Sequence, residues 1–143
     1  MLEIFGMPGH LVRRLNQLSV SLFMEQTSRT GFDLTPVQYA ALSAIDHSPA
    51  LDQATLANSI AYDRVTIGGV VDRLVKKGLV RRETSSKDRR ARNLYLTPEG
   101  AETLEKLTPV VRHMQVLLLE GLEPQEQETL IALLKKATDA SNG

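Results

Sequence analysis

The chain has no cysteine, which excludes disulfides, thiolate metal sites and any switch built on thiol oxidation. It also has no tryptophan and only 4% aromatic residues, so its core must be packed mainly through Leu, Val and Ala. No apolar run reaches the length that spans a bilayer. The segment Met1–His10 carries neither a basic leader nor an apolar stretch of signal-peptide length. These absences lead us to expect a cytoplasmic protein with no membrane partner. Enzyme signatures are missing as well. Gly68-Gly69 is not followed by the Lys-Ser/Thr of a phosphate loop, no His-x-x-x-His or His/Asp cluster offers a metal site, and no Ser lies in an elbow motif. Neither an enzyme nor a bound cofactor or metal is expected.

What remains is 143 residues, 42% hydrophobic and 24% charged, the composition of one compact domain with a real core. The formal net charge is zero, yet the charge is unevenly placed. Between Arg64 and Arg92 ten Lys/Arg face three acids (Asp72, Glu83, Asp88), a local balance of +7. Between Glu99 and Asp139 eight acids face four bases, a balance of −4. A chain polarised in this way can present one face to a polyanion while its total charge stays unremarkable.

Periodicity divides the chain into helices and one hairpin. Leu11, Leu15, Leu18 and Leu22 recur at steps of four, three and four, which predicts a helix from His10 to about Glu25. Thr35-Pro36 supplies an N-cap followed by a proline at the first helical position, and "HSPAL" ends that second helix at Pro49. Two shorter helices are predicted at about Gln53–Ile60 and Arg64–Lys77. Only "AYD" separates them, with Asp63 as a cap and Gly78 as a left-handed stop. The pattern then becomes alternating. "LVRRET" and "RNLYLT" read as strands, and "SSKDRRA" as a basic loop between them. Thr97-Pro98 opens a long helix striped by Leu104, Leu107, Val111, Met114 and Leu118, with Pro109 expected to kink it. Gly121 breaks that helix. Pro124 opens a last one carrying Leu130, Leu133, Leu134 and Ala137.

A helix pair with a three-residue turn, followed by a two-stranded basic hairpin, is a winged helix-turn-helix. The fold class expected is mainly α with a small β-hairpin wing. In such a module the second helix enters the major groove and the hairpin reaches the backbone or the adjacent minor groove. "DRLVKKGLVRR" (Asp72–Arg82), "DRR" (Asp88–Arg90) and "LTPEG" (Leu96–Gly100), in this order and spacing, resemble the MarR family of bacterial transcriptional regulators. The resemblance extends to "LTPVQYAAL" and the flanking helices, so it covers nearly the whole chain. It implies a single domain over 1–143, with a winged helix-turn-helix at about 35–100 and dimerisation helices at about 8–30 and 101–140. It also implies a homodimer on a pseudo-palindromic double-stranded DNA operator. Three amphipathic helices with leucine stripes outside the winged module independently call for a second subunit.

At the wing tip the resemblance implies that Asp88 orients Arg90, which enters the minor groove; a narrow A·T groove attracts Arg. Arg89 and Arg92 are then placed to flank phosphates. On the recognition helix, Gly68-Gly69 stands where the family often has a polar residue followed by Arg. Direct readout is therefore expected from Arg64, Thr66 and Arg73, although an internal ion pair is an equal alternative for Arg73. Lys76 completes the basic set. The two glycines point to a close backbone approach, by DNA or by a neighbouring helix.

A second polar line, His10, Arg14, Gln17 and Ser21, runs beside the leucine stripe of the first helix at steps of four, three and four. The family keeps a ligand pocket between this helix and the DNA-binding module, and many members bind aromatic carboxylates there. The resemblance thus implies a small aromatic acid effector. Arg14 could hold its carboxylate bidentately, Arg13 is the competitor for that role, and His10 and Tyr39 could meet a ring hydroxyl or nitrogen. The bland alternative is a solvent-facing stripe or an inter-subunit ion-pair network. "GHLVRRLNQ" and "AYDRVTIGGVVDRL" most resemble regulators of aromatic or heteroaromatic acid breakdown. The function expected is a repressor released by such an acid. The alternative is a winged-helix protein-interaction module whose basic hairpin docks an acidic partner.

Overall fold

The computed structural model describes residues 1–84 and 92–140. After a 3-10 turn at Glu3–Gly6, six helices and two strands follow: α1 (Pro8–Ser28), α2 (Pro36–His47), α3 (Gln53–Ser59), α4 (Arg64–Lys76), β1 (Val80–Thr84), β2 (Arg92–Leu96), α5 (Pro98–Leu118) and α6 (Pro124–Ala140). The winged helix-turn-helix expected from the sequence is present. Among the described residues no helix is long and apolar enough to cross a membrane.

The chain divides into two compact units, Phe23–Val111 and the combination of Met1–Leu22 with Arg112–Gly143. In the first unit, each helix begins where a side chain can satisfy the unpaired N–H groups of its first turn. Thr35 and Gln38 form a reciprocal capping box at α2. Asp52 accepts from the Thr55 N–H at 2.7 Å to start α3, and Asp63 accepts from the Thr66 N–H at 2.8 Å to start α4. Gly78, with φ 76°, ends α4 in the left-handed conformation that a residue with a Cβ rarely adopts. These caps set the angles at which Leu42, Ile45, Leu56, Ile67, Val71 and Leu74 converge on Leu94 and Leu107 in one fully buried core.

The wing is antiparallel, pairing Val80 with Leu96, Arg82 with Leu94 and Thr84 with Arg92. Its alternation buries Val80 and Leu94 against the helices while Arg81 and Glu83 face outward. A third piece of extended chain joins it. Leu94 N–H donates to the Leu51 carbonyl at 2.9 Å, Ala50 N–H donates to the Leu94 carbonyl at 3.2 Å, and Asp52 bridges Asn93. The sequence does not predict this widened sheet, because the segment 50–52 is too short to show an alternating pattern. α5 continues unbroken through Pro109, with the neighbouring Thr108 hydroxyl donating to the Leu104 carbonyl at 2.7 Å.

The second unit holds most of α1, the end of α5 and all of α6. α6 buries none of its residues, and Ile131, Leu133 and Leu134 on it are exposed. Leu11 and Leu18 of the α1 stripe are exposed as well. Apolar faces of this extent are unusual on a chain that works alone.

Candidate nucleic-acid interface and the polar line of α1

Helix α4 turns Ile67, Val70, Val71 and Leu74 into the core, and the 3.6-residue repeat leaves Arg64, Val65, Thr66, Asp72, Arg73 and Lys76 on its exposed side. Arg73 is exposed and makes no ion pair among the described residues, so the internal pairing considered for it is not seen there. The neighbouring Asp72 is the paired residue, accepting a hydrogen bond from the Arg82 guanidinium of β1. That bond, followed by the Arg82 charge, holds the Asp72 carboxyl below the usual carboxylate range, and Lys76 and Arg92 act in the same direction. Lys76, Arg82 and Arg92 therefore gather around one acid where α4 meets the wing. Arg82 Nε is buried there with no hydrogen-bond partner among the described residues.

Other bases of the +7 stretch are committed elsewhere. Lys77 donates from Nζ to the Asp33 carbonyl and, at 3.2 Å, to Gln38 Oε1, which pins the end of α4 to the start of α2. Arg81 pairs with Glu83 and lies 4.3 Å over the Tyr95 ring across the strands. Arg64 remains exposed beside Asp52, whose carboxyl is held low first by the Thr55 N–H and hydroxyl and more weakly by the Arg64 charge. Asp88, Arg89 and Arg90 lie outside the described residues.

Thr66 does not fit the free base-reading group expected of it. Its hydroxyl donates to Asp63 Oδ2 at 2.8 Å while its N–H donates to Oδ1 of the same carboxylate. Both bonds hold the Asp63 carboxyl low, the backbone one most strongly. The glycines also depart in part from expectation. A Cβ at Gly68 would meet only the Gln53 amide nitrogen, at an ordinary 3.5 Å, and a Cβ at Gly69 would meet nothing within 4 Å. No neighbouring helix demands them, although each costs about 1 kcal/mol of helix propensity relative to Ala. Val65, which sequence reasoning missed, is 87% exposed in the first turn of α4. The available signal was its phase, since it falls outside the apolar stripe of that helix.

On α1, Arg14, Gln17 and Ser21 share one open hollow with Leu11, Leu15 and Leu18. Arg14, Gln17 and Ser21 of the polar line therefore lie beside Leu11, Leu15 and Leu18 along one shallow, open groove whose lining residues all belong to α1. Arg13 is exposed but does not line this groove, and the His10 ring lies 5.9 Å from that of Phe5. Neither Arg13 nor Arg14 has an ion-pair partner among the described residues. In the other unit the Tyr39 hydroxyl is 3.0 Å from that of Thr108, and its ring tilts against Phe23 at 6.2 Å. His47 and His113 are exposed.

Residues 32–91 match a family model described as the MarR family. Over 133 residues the chain is 34% identical to the HTH-type transcriptional repressor NicR of Pseudomonas putida, covering 92% of this chain and 82% of that repressor. The structure superposes with a TM-score of 0.89 on Bordetella bronchiseptica BpsR, described with the regulation of its DNA binding by 6-hydroxynicotinic acid. That match has 28% identity and covers 97% of this chain and 98% of BpsR. A mutant of Escherichia coli MarR complexed with operator DNA gives a TM-score of 0.86 at 29% identity, covering 96% of this chain and 98% of that one.

Proposed function

We propose, from the premise that this chain belongs to the MarR family, that it is a homodimeric repressor released from a pseudo-palindromic operator by a small aromatic carboxylate. The protein is a DNA-binding transcriptional regulator and not an enzyme. The DNA-binding part of this reading is carried by the basic seam where Arg82 pairs with Asp72 and the charges of Lys76 and Arg92 also act on that acid, beside the outward Arg64 and Arg73. The repressor part rests on the likeness to NicR. Cations on two joined elements can engage phosphates along one groove wall while the recognition helix faces bases. A second copy would cover the exposed leucines and isoleucine of α6 and α1 and repeat the module about a two-fold axis, which a pseudo-palindrome matches.

For the effector, Arg14 supplies a planar cation beside Gln17, Ser21 and three leucines, a combination suited to a ring that carries a carboxylate. The hydroxynicotinate named for BpsR belongs to that chemical class. Arg13 falls outside the groove, which favours Arg14 as the carboxylate partner. A ligand releases DNA only if it binds the DNA-incompetent dimer more tightly. By linkage, operator DNA must then weaken ligand binding by the same factor.

Two titrations test this reading. Fluorescence anisotropy with palindromic duplexes should show a logarithmic affinity that falls steeply and linearly with the logarithm of salt concentration. A basic wing that docks an acidic protein would show no preference for palindromic sequence. Calorimetry across benzoates, hydroxybenzoates and hydroxynicotinates should find a ligand that loses affinity in the presence of operator. The Arg14→Ala variant should bind operator as wild type but no longer be released. Equal ligand binding by that variant would leave the polar line a structural feature.

A further inference from the structure

From residue 65 to residue 71 the recognition helix offers no free side-chain hydrogen-bond donor. Ile67, Val70 and Val71 are buried, Thr66 commits its hydroxyl to Asp63, and Gly68 and Gly69 have no side chain. Opposite the buried stripe, at about 100° per residue, the helix points Val65, Gly69, Asp72 and Lys76 away from the core. Apart from Met1, Val65 is the most exposed of the large apolar side chains among the described residues. Beside it runs bare backbone that the fold does not require, since a Cβ would be accommodated at both glycines. A reader of base edges built in this way can make apolar contact but cannot donate a side-chain hydrogen bond.

In the major groove the one apolar group on a base edge is the 5-methyl of thymine. A valine is short, and it reaches that methyl only if the helix backbone seats deeply; a side chain at the outward position 69 would hold the backbone away. Resting on the DNA-binding reading above, we propose that Val65, beside the bare backbone of Gly68-Gly69, reads a thymine methyl. An A·T pair is then the preferred base pair facing the first turn of α4 in each half-site. Arg64 and Arg73 flank this apolar window and carry the hydrogen-bonded readout on either side of it.

The probe is the duplex recovered by the full chain from a random-sequence pool, with each thymine then replaced in turn by deoxyuridine. That exchange deletes only the major-groove methyl and leaves the minor-groove edge and the phosphates unchanged. Wild type should lose about three- to fivefold in affinity at one position per half-site, the scale of one buried methylene-sized group. Val65→Ala should bind the thymine and uracil duplexes equally at that position and keep the salt dependence of wild type. Gly69→Ala provides a second, oppositely signed readout, in which the thermal midpoint rises and duplex affinity falls by at least about threefold. Salt-dependent binding that ignores every uracil exchange overturns the thymine inference and leaves the DNA reading standing. Equal uracil sensitivity in Val65→Ala and wild type, or a Gly69→Ala variant that is stabilised and binds as tightly, also overturns it. Recovery of no duplex from the pool removes the DNA reading and this inference together.

Discussion

Replacing Gly100 with alanine would place a methyl group 2.0 Å from the Leu79 carbonyl oxygen and 2.9 Å from its carbonyl carbon. Carbon–carbon contact is comfortable at about 3.5–4.0 Å, so relief requires a backbone movement on the order of 1 Å. The Leu79 carbonyl cannot retreat freely. It accepts from the Thr97 N–H at 3.1 Å, and the Thr97 hydroxyl donates to the adjacent Gly78 carbonyl at 2.6 Å. Overpacking of this kind costs about 1–3 kcal/mol. A weakened backbone hydrogen bond adds about 1 kcal/mol, and the better helix propensity of alanine offsets about 1 kcal/mol. Urea denaturation followed by circular dichroism, at fixed protein concentration, should therefore show Gly100→Ala destabilised by about 1–3 kcal/mol. Leu79 leads directly into β1, so operator affinity should fall with stability. For stability, Gly69→Ala is the control of the same chemistry, because open space within the chain leaves only the propensity gain there. A Gly100→Ala protein with an unchanged or raised midpoint would refute the reasoning that the wing is seated by this close approach.

Further outcomes follow from other parts of the molecule. Arg90→Ala should weaken operator binding by about 1–3 kcal/mol with fold and assembly intact, and Asp88→Ala by less. Unchanged anisotropy titrations for Arg90→Ala would mean the hairpin is not a minor-groove arm. Leu133→Asp, at an exposed position of α6, would be nearly silent in a monomer but buries an unpaired charge in a dimer. Analytical ultracentrifugation should show wild type as the proposed dimer and the variant without it, and a stable variant dimer would count against α6 as the interface. Asp52 and Asp63 have carboxyls lowered from 3.8, chiefly by the helix N–H groups they cap. Their contribution to stability is therefore complete above about pH 5, declines as pH falls past the unfolded-state value and is gone once pH has fallen through the lowered folded-state values. The Asp52→Asn, Asp63→Asn double variant keeps both caps but cannot titrate. It should show a shallower acid-side loss of urea midpoint, and an identical slope would sink this account.

Much of the molecule was legible along the chain because the deciding interactions lie within a turn or two. Thr35-Pro36, Asp63 and Gly78 act on N–H and carbonyl groups a few residues away, so the boundaries of α2 and α4 follow from local chemistry. The shift from helical to alternating period marked the wing for the same reason, and ordered motifs from Asp72 to Gly100 carried the family resemblance. Partner choice between distant groups was not legible. Asp72 pairs with Arg82, ten residues away, because α4 and β1 pack side by side, and this leaves Arg73 exposed and without an ion pair among the described residues. Residues 50–52 extend the wing sheet only because α2 ends beside β2, a juxtaposition no local pattern encodes. The three glycines of the winged module that lie within helices look alike in sequence and differ in three dimensions. Gly100 is required by a carbonyl oxygen at 2.0 Å, while Gly68 and Gly69 face an ordinary contact and open space. Local propensity assigns all three the same cost, and only the position of neighbouring atoms separates a glycine the fold needs from one that leaves room for something outside it.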